Sequence, residues 1–120
     1  MDLKAWLDTD WSDFAKYEEF QKLMEADLQE QCATIDLQVI KFLPNRFLFG
    51  AVVANAARDR FVHVTIPDVR KGADWYEQAC TRRMSSERDW KGDAFHYAPW
   101  PQIAALAAEI MKPEYDDEIL

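Results

Sequence analysis

Glycine is scarce, with three in 120 residues, at positions 50, 72 and 92. A loop that cradles phosphate needs several close together, so neither a P-loop nor a dinucleotide-binding turn is present. Cys32 and Cys80 are the only cysteines and stand far apart. That spacing fits no zinc ribbon, and both read as free thiols of a reducing compartment. Histidine occurs only at 63 and 96, there is no HExxH, and nothing places a nucleophile beside either ring. No apolar run approaches the roughly 20 residues that cross a bilayer. The opening MDLKAWLDTDW carries acids where a secretion signal would be apolar. These absences predict a soluble, cytoplasmic, non-catalytic protein without metal or cofactor. A small enzyme built on His63 or His96 with nearby carboxylates is the weakest of the alternatives.

Apolar residues make up 49% of the chain and aromatics 13%, which is enough for a core without covalent staples. With neither internal repeat nor linker, residues 1–113 read as a single domain and 114–120 as an acidic tail. The last residues, EYDDEIL, are similar to the recruitment tips of bacterial single-stranded-DNA-binding proteins. That similarity covers seven residues with no flexible linker before them, and a solubilising terminus is expected.

Phe14, Tyr17, Phe20, Met24, Leu28 and Cys32 recur at steps of three and four. They predict an amphipathic helix of about twenty residues, starting near Trp11 behind Asp8, Thr9 or Asp10 as cap. The period then becomes two: Ile35, Leu37 and Val39 alternate with Asp36 and Gln38. LPNR and ARDR punctuate the chain, so RFLFGAVVANA and FVHVTI read as second and third strands of an antiparallel meander. Asp74 with Glu77 marks a helix start, and no glycine or proline follows until Gly92. A helix over 75–91 is expected, either whole or broken at Ser85 with a second piece from Ser86. Pro101 opens a last helix through Ile103, Leu106, Ala107, Ile110 and Met111, ended by Pro113. The predicted fold is α+β: an N-terminal amphipathic helix on a three-stranded antiparallel sheet, followed by two or three C-terminal helices.

The net charge of −8 is unevenly spread. Residues 1–36 carry ten acids against three lysines, while 58–91 carry eight cations against six acids. Asp13, Glu18, Glu19, Glu25, Asp27 and Glu30 lie on the polar arc of the first helix and form the candidate protein-binding face. Carboxylates so arranged suit a basic groove on a partner, because they present phosphate-like charge and speed encounter. The expected role is an inhibitor docking on the basic, nucleic-acid-binding surface of a partner protein, of phage anti-defence or immunity type. The alternative is a small nucleic-acid-binding module using Arg58, Arg60, Arg82, Arg83, Arg88 and Trp90, through backbone charge and ring stacking. Against it stands the long-range repulsion between phosphate and an acidic chain. Trp75 and Trp100 read as core, and Cys80 as an inert buried thiol.

Overall fold

The computed structural model describes residues 3–6, 14–43, 49–66, 74–89, 92 and 94–119. Helix α1 spans Phe14–Ala33. Tyr17, Phe20, Met24, Leu28 and Cys32 are all essentially sealed from solvent, as their spacing requires. The helix stops in a turn where Thr34 Oγ1 donates to the Gln31 carbonyl at 2.7 Å and Ile35 N–H to that of Cys32 at 3.1 Å. Asp36 takes a left-handed φ of 59°, which its short side chain tolerates better than a branched one. The first strand therefore begins at Leu37, and Ile35, expected inside it, sits in the turn 39% exposed.

Strands β1 (Leu37–Phe42), β2 (Phe49–Asn55) and β3 (Phe61–Ile66) form the expected antiparallel meander. The sheet does not end there. It has five strands in the order β1-β2-β3-β4-β5, with β4 at Ala79–Met84 and β5 at His96–Ala98. This corrects the three-stranded sheet and the helix over 75–91. Helix α2 is a single turn, Asp74–Glu77, after which the chain runs extended along β3 and then receives β5. The spacing of Trp75, Tyr76, Ala79 and Cys80 fits a helix, but pairing with β3 over 80–84 and with β5 over 79–81 holds this segment as a buried strand. Where a second helical piece was expected, Ser86 and Asp89 form an isolated antiparallel bridge. A single 3-10 turn, Trp100–Gln102, leads into α3, Ile103–Ile110, and Pro113–Ile119 is again 3-10 helix.

One core joins α1, the inner face of the sheet and α3, with Phe49, Ala51, Val53, Val62, Val64 and Ile66 facing Trp75, Trp100 and Ile103. Phe49 meets Trp100 edge-on at 5.5 Å, and Phe20 meets Trp75 at 5.1 Å. A register shift between Val39 and Lys41 places Lys41 opposite Val52 and Phe42 opposite Ala51. Phe42 thereby turns inward and Lys41 outward. None of the described helices is long and apolar enough to cross a membrane.

Candidate functional site

Helix α1 sorts its carboxylates into two kinds. Glu18, Glu19 and Glu30 are exposed and Glu25 is partly so. Asp27 is committed inward: it accepts the indole N–H of buried Trp100 at 2.7 Å and the Gln31 amide at 3.0 Å. Gln31 completes the clasp by donating to the Trp100 carbonyl at 3.2 Å and accepting Ala104 N–H at 3.3 Å. Asp27 therefore ties α1 to the start of α3 and leaves the candidate face. Asp13 lies outside the described residues. At about 100° per residue Glu19 and Glu30 project in nearly the same direction, while Glu18 and Glu25 lie about 120° further round, with Lys22 between the two pairs. Lys16 and Lys22 are exposed on the same helix, which keeps a net charge of −3 over Phe14–Ala33.

The arginines expected to form one surface are scattered by the fold. Arg83, 3% exposed on β4, donates to the Ile110 carbonyl at 3.0 Å and to Asp116 at 3.1 Å. Arg60 donates to the Met111 carbonyl and to Asp116, both at 2.7 Å. Two guanidinium groups thus cap the C-terminal end of α3, where the last carbonyls lack helical partners and the dipole is negative. Asp116 bridges them from the 3-10 segment. The hydrogen bond from Arg60, and after it that from Arg83, holds the Asp116 carboxyl below the usual carboxylate range.

The segment expected as a solubilising tail is therefore docked. His96 Nε2 lies 3.0 Å from both oxygens of Glu118, and its ring meets Tyr115 edge-on at 5.6 Å. Arg58 reaches only Glu87, at 3.4 Å between exposed side chains, and Arg88 is exposed beyond the same turn. Trp90 lies outside the described residues.

Arg82 alone of the set points to the outer side of the sheet. The pairing Lys41↔Val52, Val52↔His63 and His63↔Arg82 draws a transverse row over four strands. The Arg82 guanidinium continues it by lying 5.4 Å from the centre of the Phe95 ring. Burial, aided by the Arg82 charge, lowers the pKa of His63 to about 4, so the ring is neutral at physiological pH. In the next row Cys80 faces Tyr97. Burial raises that thiol above its ordinary value despite Arg82 and Tyr97, and it pushes Cys32 to about 11. Both thiols are buried and free, hence poor nucleophiles. His96 is paired with Thr81, on the inner face, so the two histidines sit on opposite sides of the sheet and share no site.

Among the described residues no His, Cys, Asp and Glu grouping fits a metal ion. No protein-family model, curated protein or solved structure matches the chain. The Lys41–His63–Arg82 row escaped the sequence because 79–84 resembled a helix. The alternation of Cys80, Arg82 and Met84 with Ala79, Thr81 and Arg83 was the signal for it.

Proposed function

We propose that this chain is a non-catalytic protein-binding domain that docks on a basic protein surface through Glu18, Glu19, Glu25 and Glu30 of α1. A nucleic-acid-handling enzyme is the class of partner whose groove offers that charge, and inhibition by occupying the groove is the mechanism. The supporting observation is how the carboxylates divide: Asp27, Asp116 and Glu118 are bonded within the fold, while these four glutamates face outward. From Glu18 to Glu30 the helix rises about 18 Å, a span suited to several cations along a groove. Exposed pairs of this kind supply encounter rate and selectivity more than affinity.

The test is a triple reversal, Glu18→Lys, Glu19→Lys and Glu30→Lys, at exposed positions that leave the core untouched. Partners captured from the native host by the wild-type chain should be lost with the reversed one, and cross-links should map to residues 14–33. Capture that survives the reversal, with cross-links elsewhere, refutes the reading.

A further inference from the structure

Beside the end of α3, Arg60, Arg83 and His96 face two carboxylates of the same chain. We infer that these three side chains form a seat for an acidic peptide in trans, held shut in the free chain by its own segment Pro113–Ile119. Asp116 and Glu118 of that segment stand where the peptide's carboxylates would bind, and Tyr115 lies edge-on to the His96 ring. The ligand class follows from this pattern: an aromatic residue, then carboxylates one and three positions later.

Two features set this contact apart from a fixed part of the core. The first is that the seat does not depend on its cover. The Met111 carbonyl holds Arg60 at 2.7 Å and the Ile110 carbonyl holds Arg83 at 3.0 Å, so both guanidinium groups keep an anchor when Asp116 leaves. His96 is placed by its strand pairing with Thr81. The covering segment has no fully buried residue, and Tyr115 is its apolar contact with the main core. Elements held this lightly are the first to open. The second feature is that the cover underfills the seat. One oxygen of Asp116, Oδ1, serves both arginines, at 2.7 Å and 3.1 Å, while Arg83 Nε is sealed from solvent without a hydrogen-bond partner. A carboxylate not tethered at Lys112 can meet Arg83 side-on, through Nε and the adjacent Nη, as a bidentate pair. Free phosphate suits the seat less well. Two α3 carbonyls already share its donors, which disfavours a dianion, and only a peptide delivers a second carboxylate and a ring along with the first.

Anisotropy of a labelled peptide of residues 113–120, PEYDDEIL, with the full-length chain decides the matter. In wild type the tethered segment competes at an effective concentration of roughly millimolar order, so the peptide should bind weakly. Asp116→Asn with Glu118→Gln in the protein frees the seat and should tighten binding about tenfold, as for a seat otherwise open about one-tenth of the time. The same two changes made in the peptide should abolish binding. Arg60→Gln added to the freed protein should weaken binding about tenfold, because a charge-assisted pair is lost. Circular dichroism checks the fold of each variant. If the double variant unfolds, Glu118→Gln alone keeps the Asp116 bridge and should tighten binding about threefold. Glu19→Lys with Glu30→Lys, which abolishes docking through α1 if the proposed function holds, should leave peptide binding intact or strengthen it. The proposal fails if the folded, freed protein binds the peptide no more tightly than wild type does. It also fails if the amide peptide binds equally well, or if inorganic phosphate displaces the peptide as effectively as unlabelled peptide at the same concentration.

Discussion

Replacing His63 by glutamine should flatten the loss of stability between neutral and mildly acidic pH. The His63 imidazole is held neutral down to about pH 4 by burial first and by the Arg82 charge second, whereas in the unfolded chain it takes a proton near 6.5. The unfolded state therefore binds the extra proton throughout that interval. The contribution is full above about 6.5 and falls away as pH drops toward about 4. For one group with those two values, the loss between about pH 7.5 and about pH 5 comes to about 2 kcal/mol. The ring keeps some contact with solvent, and screening reduces this to about 1 kcal/mol. In a domain of this size that is a shift in melting temperature of about 3 to 4 °C. Urea titrations of wild type and His63→Gln at both pH values give the relevant quantity, the difference between the two losses. Wild type should lose about 1 kcal/mol more than the variant. Equal losses would falsify the account, because every other titrating group is common to both chains. Arg82→Gln should recover the smaller part of the effect, in keeping with its second rank among the causes.

Asp116→Asn should loosen the 3-10 segment Pro113–Ile119, read as faster hydrogen exchange at Tyr115, whose N–H bonds the Lys112 carbonyl at 3.0 Å. Because the Asp116 carboxyl is held low, its stabilising effect is present above the ordinary value of 3.8 and vanishes as pH falls below it. The wild-type advantage over Asp116→Asn should disappear there, and an advantage that persists counts against the bridge. Asp27→Ala strands the indole N–H of Trp100, itself 1% exposed, and should cost about 2 kcal/mol; Asp27→Asn, which keeps an acceptor, should cost less. Thr81 is fully buried and its hydroxyl has no hydrogen-bond partner, so Thr81→Val should be neutral or stabilise by about 1 kcal/mol; a loss of that size would mean the hydroxyl is satisfied. A Cβ at Gly92 would stand 1.9 Å from the Arg83 carbonyl oxygen, so Gly92→Ala should destabilise by about 2 kcal/mol, and an unchanged melt would contradict that close approach.

The legible parts of this chain are those whose signal is local. Helix α1 follows from the spacing of Tyr17, Phe20, Met24, Leu28 and Cys32, and β3 from the alternation of Val62, Val64 and Ile66 with Phe61, His63 and Thr65. Strand β4 was hidden because its stabilisation is not local. Ala79–Met84 takes its hydrogen bonds from β3 and from β5, and β5 is a three-residue strand too short to announce itself. The carboxylates were legible as a set but not in their partners. Asp27 resembles its neighbours in sequence, yet its proton donor, Trp100, is 73 residues away. Asp116 and Glu118 read as solvated charge because Arg60, Arg83 and His96 reach them only across the folded sheet.

The way the cations are spent explains the charge that remains outside. Arg83 bonds a helix-terminal carbonyl and a carboxylate at once, and Arg60 does the same one residue further along the chain end of α3. Lysine would serve such a site poorly, since its point charge lacks the fixed fork of donors. Both arginines are thereby withdrawn from any external phosphate, which removes the middle of the arginine surface that composition alone suggests. On α1 the exposed Glu18, Glu19 and Glu30 stand with Lys16 and Lys22, while Lys41 and Arg82 are half-buried on the other side of the sheet, where Arg82 donates to the Gly92 carbonyl at 3.5 Å. Arg60→Gln would leave the α1 glutamates untouched while opening the α3 end, so docking through α1 should survive it even where the melting temperature falls.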